Sequence, residues 1–485
     1  MCCSDADTLH LLPYTLMNRR HFLASLAASA VALRCARAQS PQQPSLVFDP
    51  DSPSPTVPTD FIGLSYESAQ LANPDFFSPQ NHKLIALFRE LSRSGNLRIG
   101  GGSSEFTTFS AENPSAPPPF EAFGPDTSKT VKTGTITTAL ALHQLRGFLD
   151  ATGWSCLYGL NLGRGTAENA ASEAAAAQRI LGSRLLAFQI GNEPDSFRNR
   201  YRPATYTPAD YLAEWNHFRD RVAHAAPGAR FAGPDISNKL SYLTAFAQEA
   251  PHHPDVVLLT SHYYAMGPAG SPHATLDNLL SEDPVSSTLK NRDLSVIEDA
   301  RRLAHLPYRM SEGNSCWNGG QPGISDGYAS ALWSAGYILR CMQRGWAGVN
   351  LHGGGNGIYS PIVGAPSRGF TRRPEFFGIR FVARFAGASM IPTRLAGTEA
   401  NVEAFTFAHP KEHELVIVNS TAHETQLSLP AGIAAAKRSV LHAPSLAAKD
   451  GIEISETHDA YKSSVTASPY TANTYALRGL ALKKA

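Results

Sequence analysis

The run Leu185-Leu186-Ala187-Phe188-Gln189-Ile190, followed by Gly191-Asn192-Glu193-Pro194-Asp195, decides how this chain is read. A short, mostly apolar run ending at a glycine has the length of a strand buried on both faces, and the polar residues after it mark the strand's carboxyl end. A helix then opens at Thr207-Pro208-Ala209-Asp210. Threonine caps it, proline takes the first helical position, and Tyr211, Leu212, Trp215, Phe218 and Val222 share one face. Strand, polar turn and helix make one βα unit.

The same unit recurs in both directions. Strands are expected at Phe61–Tyr66, Asn96–Gly100, Cys156–Leu160, Leu185–Ile190, Arg230–Gly233, Val256–Ser261, Tyr308–Ser311 and Val349–His352. Helices are expected near 83–94, 139–152, 166–181, 208–225, 238–249, 294–305, 327–343 and 374–386. Eight units over about 330 residues fit a (β/α)8 TIM barrel with enlarged loops. A doubly wound open sheet is the rival, since βα alternation alone does not close a sheet. Beyond about residue 390 the period changes to two. Val402–Ala408 and Leu415–Asn419 read as strands joined by a polar turn, and alternation with turn residues continues. This predicts a C-terminal β-sandwich that Ser45–Asp49 extends by an N-terminal strand. The expected divisions are 1–38 as an export signal, 39–57 as strand and linker, 58–388 as the barrel and 389–485 as the β domain.

Composition narrows the function classes. The 485 residues carry 42 Lys+Arg against 41 Asp+Glu, a net charge of +1. Such a balance supplies no basic field for nucleic acid, and none is expected as a partner. Near the amino terminus, Met17-Asn18-Arg19-Arg20-His21-Phe22-Leu23 precedes an uncharged run to Leu33 and an Ala36-Arg37-Ala38 cleavage pattern. This predicts twin-arginine export, with a periplasmic or secreted mature protein, no membrane association and Met17 as a start. The run is too short to span a bilayer, which needs about 20 apolar residues. Past Ala38, Cys156, Cys316 and Cys341 are too few and too scattered for a disulfide framework or a metal site, and are expected to be idle thiols.

In a closed barrel the chemistry sits at the carboxyl ends of the strands. Two carboxylates stand there at matched positions: Glu193 after the fourth strand and Glu312 at the end of the seventh. A pair of carboxyl groups across a cleft is what glycoside hydrolysis needs, one to protonate the leaving oxygen and one to attack the anomeric carbon or activate water. Gly191-Asn192-Glu193-Pro194-Asp195-Ser196-Phe197 resembles glycoside hydrolase family 79, the β-glucuronidases and heparanase, within the clan A retaining glycosidases. Leu97-Arg98-Ile99-Gly100-Gly101, His262-Tyr263-Tyr264, Ser311-Glu312 with Gly319-Gly320 downstream, and Asn356-Gly357-Ile358-Tyr359 agree with it.

The resemblance implies a retaining β-glucuronidase with Glu193 as acid/base, its pKa raised, and Glu312 as an ionised nucleophile. It implies Asn192 on the sugar 2-hydroxyl, Tyr264 on the nucleophile, and the Gly319 and Gly320 N–H groups with Tyr359 on the substrate carboxylate. No cofactor or metal is implied. Glu67 is a further sugar-ligand candidate. Trp317 stands where a tyrosine would touch the uronate, a departure bearing on specificity. Arg198, Arg200 and Arg202 are positioned to meet an acidic chain or solvent. The alternatives are an endo-acting, heparanase-like enzyme on glycosaminoglycan and a carbohydrate-binding barrel without catalysis.

Four other motifs are read as structural. Gly323-Ile324-Ser325-Asp326-Gly327 has the GxSxG pattern, but Ser325 is expected to cap the next helix. His409-Pro410-Lys411-Glu412-His413 has the HxxEH pattern, but Pro410 in a β context makes it a hairpin turn. His252 and His253 precede a strand that His262 follows, so the three do not share one metal. Gly163-Arg164-Gly165 lacks the third glycine of a dinucleotide loop.

Overall fold

A computed structural model describes residues 44–52, 55–112, 119–122, 130–281, 294–353, 357–397 and 401–480. The export signal and Asn356 lie outside the described residues.

Eight parallel strands form a closed barrel. In chain order they are β1 (Ile62–Glu67), β2 (Asn96–Gly100), β3 (Ser155–Leu160), β4 (Leu185–Ile190), β5 (Phe231–Ile236), β6 (Val256–Tyr264), β7 (Tyr308–Asn314) and β8 (Gly348–His352). Closure, which the βα pattern alone left open, rests on β8 pairing with β1, Val349 opposite Ile62, and on β4 pairing with β5, Phe188 opposite Phe231. The surrounding helices are α1 (His82–Leu91), α2 (Ala139–Thr152), α3 (Ala167–Leu181), α4 (Pro208–Ala225), α5 (Leu240–Glu249), α6 (Leu294–Ala304), α7 (Tyr328–Gln343) and α8 (Pro374–Ala383).

Local chemistry sets these boundaries. The Thr207 hydroxyl accepts from the Asp210 N–H at 3.3 Å while the Asp210 carboxylate accepts from the Thr207 N–H at 2.8 Å, a capping box that starts α4. Thr166 caps α3 through Asn169 at 3.2 Å, and Gly182 ends it at φ +52°. Four strands run past their expected ends, β1 by Glu67 alone. β5, β6 and β7 carry Pro234–Ile236, His262–Tyr264 and Glu312–Asn314 inside the sheet, with His262 opposite Glu312 and Tyr264 opposite Asn314. An apolar run stops at the first polar residue, but backbone pairing does not, because these side chains point into a polar barrel mouth.

Two further sheets pack together beside the barrel. A six-stranded sheet centres on Val402–Ala408, His413–Asn419, Thr471–Arg478 and Ala434–His442. A four-stranded sheet includes Ser45–Phe48, which pairs antiparallel with Thr393–Ala396 and touches Thr425–Ser428. The alternation in the first sheet serves two cores. Val402, Ala404, Leu415 and Ile417 meet Leu46, Leu427 and Val465 between the sheets, whereas Phe405, Phe407, Val416 and Val418 join the barrel's core. The Phe407 ring stacks on Phe385 at 4.2 Å, and Arg340 on α7 pairs with Glu403 at 2.6 Å. Truncating Phe407 to alanine should cost about 3–5 kcal/mol and loosen the barrel from the sandwich.

Candidate active site

The carboxyl ends of the strands place a ring of charged side chains at the barrel mouth. Arg98 on β2 is wholly buried and binds five partners. Its NH1 donates to Glu312 Oε2 at 2.5 Å and to Ser65 Oγ at 3.1 Å, its NH2 to Asn192 Oδ1 at 2.7 Å and Asp235 Oδ2 at 2.5 Å, and its Nε to Gln189 Oε1 at 3.2 Å. Because guanidinium only donates, the Asn192 amide must turn its oxygen towards Arg98, which leaves its NH2 to face elsewhere.

Glu312 is a buried anion held from two sides. Tyr264 O–H donates to its Oε1 at 2.9 Å, opposite the Arg98 contact on Oε2, and His352 Nδ1 lies 3.8 Å from Oε2. Burial alone would raise its pKa, but His352, His262 and Arg98 together draw it down to about 2. Burial pushes the Tyr264 hydroxyl far above its ordinary value, so it stays protonated and donates.

Glu193 sits at φ +53°, in the left-handed region, at the turn where β4 leaves the sheet. Its backbone N–H donates to Asp235 O at 2.9 Å, and His262 Nδ1 lies 3.0 Å from its Oε1. The other imidazole nitrogen, Nε2, is 3.1 Å from Asp235 Oδ1. Burial works against charging His262, yet Asp235, Glu312 and Glu193 lift its pKa to about 10, so it is an imidazolium at neutral pH. Burial would also raise Asp235, but Arg98 and His262 hold it well below the usual carboxylate range.

Ligating atoms of Glu193, His262 and Glu312 all lie within 4.8 Å of one another. That spacing suits a divalent cation as well as proton transfer. His262 turns Nδ1 towards Glu193, and its Nε2 lies at ion-pair distance from Asp235. His252 and His253 precede β6 and His262 is near its far end, so the three histidines are not one cluster.

The expected sugar-binding residues fall into two groups. Glu67 accepts from the Ser103 N–H at 2.8 Å and hydroxyl at 2.5 Å, and its Oε1 is 3.6 Å from His352 Nε2. It therefore belongs to the Glu312 side of the ring. Gly319 and Gly320 follow β7 at φ +85° and +98°. A Cβ on Gly320 would stand 2.9 Å from Ile358 Cγ1 and 3.1 Å from Tyr359 Cδ1, so this turn packs against Tyr359, whose ring centre lies 6.4 Å from that of Tyr264. Trp317 stands apart: its ring is 45% exposed, while its backbone pairs with Gly267 and Ala269.

Reading the strands for apolar runs missed Asp235 and gave Arg98 and His262 no catalytic role. Arg98 and His262 each interrupt an apolar strand with a charged side chain, which inside a barrel is the signal. Asp235 was hidden because Gly233-Pro234 reads as a strand end. The GxSxG serine is not the expected helix cap. Ser325 is buried, accepts from the Gln321 N–H at 2.9 Å and bonds Ser315 Oγ at 2.8 Å, while Gly327 occupies the cap of α7. A capping side chain must be at the position next to the first turn, and Ser325 is two residues too early. His409–Glu412 is a turn between strands, closed by the His409 N–H on Glu412 O at 2.8 Å. Arg198 and Arg202 serve their own loop, donating to Tyr206 O and to Glu214, and Cys156, Cys316 and Cys341 are buried and unpaired as disulfides.

Comparison with known proteins agrees with this geometry. The chain is 26% identical over 345 residues to a β-glucuronidase of Aspergillus niger, covering 64% of this chain and 61% of that protein. It is 25% identical over 323 residues to a β-glucuronidase of Neurospora crassa, covering 60% and 56%. The chain thus spans about three fifths of the length of these curated relatives. No family model matches. Among solved structures, a 4-O-α-L-rhamnosyl-β-D-glucuronidase from Fusarium oxysporum superimposes with a TM-score of 0.69 at 17% identity, covering 90% of this chain and 100% of that one. A family 51 arabinofuranosidase from Xanthomonas axonopodis gives 0.66 at 14%, with the same coverage. The chain is a sequence homologue of fungal β-glucuronidases and has the barrel-and-sandwich fold of the clan A glycosidases.

Proposed function

We propose that this protein is a retaining β-glucuronidase that removes terminal β-linked glucuronic acid. The observation that carries the reading is the pairing of Glu193 and Glu312 across the barrel mouth, with one carboxylate oxygen of each within 4.8 Å of the other. Retaining glycosidases separate their carboxyl groups by about 5–5.5 Å, whereas inverting ones need about 6.5–9.5 Å to admit a water between them. The names of the curated relatives support the choice of sugar.

In the first step Glu312 attacks the anomeric carbon. The C–O bond to the aglycone breaks, a C–O bond to the Glu312 carboxyl forms, and Glu193 gives its proton to the departing oxygen. In the second step Glu193 takes a proton from water, which displaces Glu312 and restores the β-configuration. Arg98 and Tyr264 fix both oxygens of Glu312, and His262 fixes one oxygen of Glu193, so neither carboxyl must reorganise as charge moves. Asn192 has its NH2 to offer the 2-hydroxyl. The substrate carboxylate is assigned to the Gly319 and Gly320 N–H groups and Tyr359, which suits a chain with a net charge of only +1.

Hydrolysis of nitrophenyl β-glucuronide, measured beside the β-glucoside and β-galactoside with Glu193→Gln and Glu312→Gln as controls, tests this. Equal turnover of the neutral sugars refutes the uronate assignment, and undiminished activity in the variants refutes the catalytic one. Azide should rescue Glu312→Ala as a glycosyl azide of inverted configuration, which tests retention. The Arg19-Arg20 signal further supports export, which fractionation of a reporter fused to residues 1–38 tests, with Arg19→Lys/Arg20→Lys expected to retain it inside.

A further inference from the structure

Glu105 lies in the single helical turn Gly102–Phe106 after β2 and is 1% exposed. Its two oxygens reach different loops. Oε1 accepts from the backbone N–H of Asn192, Oε2 from that of Gly163, and the Leu162 N–H adds to the same field. A Cβ at Gly163 would stand 2.8 Å from Glu105 Oε2 and 3.1 Å from the Tyr201 ring, so any side chain here would push on the carboxylate. Arg202 takes the carbonyls of that loop, NH1 at 2.9 Å from Gly163 O and NH2 at 3.0 Å from Leu162 O, while its Nε binds Glu214 at 2.8 Å. Gly163, from the segment that looks like a fragment of a dinucleotide loop, thus lines a socket for a carboxylate, while the Gly165 N–H turns to Asn161 Oδ1 at 2.8 Å.

We propose that Glu105 is a positioning residue for the acid/base: by fastening Asn192 to the loop after β3, it fixes where Glu193, the next residue, stands in the cleft. This rests on Glu193 being the acid/base. A glutamate at φ +53° and ψ +52° holds that conformation only because its surroundings impose it. The Asn192 N–H on Glu105 and the Glu193 N–H on Asp235 O, at 2.9 Å, tie this turn to its neighbours, beside the Gly191 N–H on Leu160 O at 3.0 Å and the Ser196 N–H on Glu193 O at 2.8 Å. A displacement of about 1 Å at a proton donor can slow reaction on the order of 100-fold.

The placement also ties turnover to a second titration. Burial pushes Glu105 up to about 7, against the lowering effect of the Asn192, Gly163 and Leu162 N–H groups and of Arg202. Tyr201 and Tyr211 face it with hydroxyls that burial keeps protonated, and Arg164 lies over the Tyr201 ring. Below pH 7 one Glu105 oxygen carries a proton and grips its N–H less well. The sign for stability is opposite. An acid raised in the fold favours the folded state below its ordinary value of about 4.3, and that contribution disappears as pH rises through 7. The ionised carboxylate therefore serves the site and weakens the fold.

The test is Glu105→Gln, assayed on aryl and alkyl β-glucuronides whose leaving groups differ in basicity. Alkyl leaving groups need the proton from Glu193, and nitrophenolate hardly does. The expected result is a loss in kcat/KM of about tenfold or more for alkyl glucuronides and under about threefold for the nitrophenyl substrate. At pH 8 the amide removes a buried charge but must turn its NH2 towards one of the two N–H donors, so the leaving-group dependence, rather than the melting temperature, is the readout. A uniform loss or no loss overturns the proposal. If Glu105→Gln does not fold, Gly163→Ala crowds the same carboxyl and must show the same leaving-group dependence. A wild type inactive on every glucuronide refutes the glycosidase reading itself, an outcome distinct from active wild type with an indifferent variant.

Discussion

Asp235→Asn should disable the site's charge balance while leaving its shape intact. Each contact the Asp235 carboxylate makes comes from a donor: Arg98 NH2 on Oδ2, and Gln189 Nε2, Ser311 Oγ and His262 Nε2 on Oδ1. An asparagine keeps one acceptor and must point its NH2 at another donor. Arg98, wholly buried, would keep only Glu312 as counter-charge. Removing one partner of a buried ion pair typically costs about 3–5 kcal/mol, which in a folded unit of this size lowers the melting temperature by on the order of 3–5 °C. His262 should respond too. Asp235 is the strongest charge holding its pKa near 10 against burial, so without it the pKa of the ring should fall, with Glu312 and Glu193 left to oppose burial. Imidazole nitrogen shifts in protein labelled with 15N-histidine read this directly, with a His262→Gln spectrum assigning the signal among 17 histidines. An unchanged melting temperature, or a His262 that titrates at the same pH in the variant as in the wild type, would refute the reasoning.

Three further outcomes follow from the same ring. Tyr264→Phe removes a donor to ionised Glu312, worth about 1.5–3 kcal/mol for a bond to a charged group, so kcat should fall about 10- to 150-fold with KM little changed. Glu312 is an acid with a depressed pKa, so its stabilising contribution is present above its ordinary value of about 4.3 and is lost as pH falls towards 2. Melting temperature against pH should decline across that window in wild type and less so in Glu312→Gln. Gly320→Ala combines a φ of +98° with a Cβ 2.9 Å from Ile358 Cγ1 and Ser325 Cβ. It should cost about 1–3 kcal/mol of stability and raise KM for a glucuronide more than for the matching glucoside; equal effects on both sugars would remove this turn from uronate recognition.

The barrel was legible because its information is local. A buried parallel strand such as Leu185–Ile190 needs a continuous apolar run, and α4 carries its own start signal in Thr207-Pro208. The carboxylates were legible for a related reason, since Glu193 and Glu312 each follow an apolar run at a strand's carboxyl end. What the chain does not display locally is partnership. Arg98 and Asp235 are 137 residues apart and meet at 2.5 Å only because β2 and β5 face each other across a closed barrel. Glu105 sits 87 residues before the Asn192 N–H it grips. In a strand-by-strand reading each is a single polar residue with no visible counterpart.

That partnership explains why two cations and two anions are buried where two carboxyls would satisfy the reaction scheme. In the proposed glycosyl-enzyme, Glu312 becomes an ester and loses its charge. Arg98, with no solvent exposure, would then be an uncompensated guanidinium in a closed site, a state costing several kcal/mol. Asp235 prevents this, because its contact with Arg98 NH2 does not involve Glu312. The same carboxylate holds His262 charged beside Glu193 through both steps. Asp235 thus allows the proposed nucleophile to alternate between anion and ester while Arg98 and His262 stay paired.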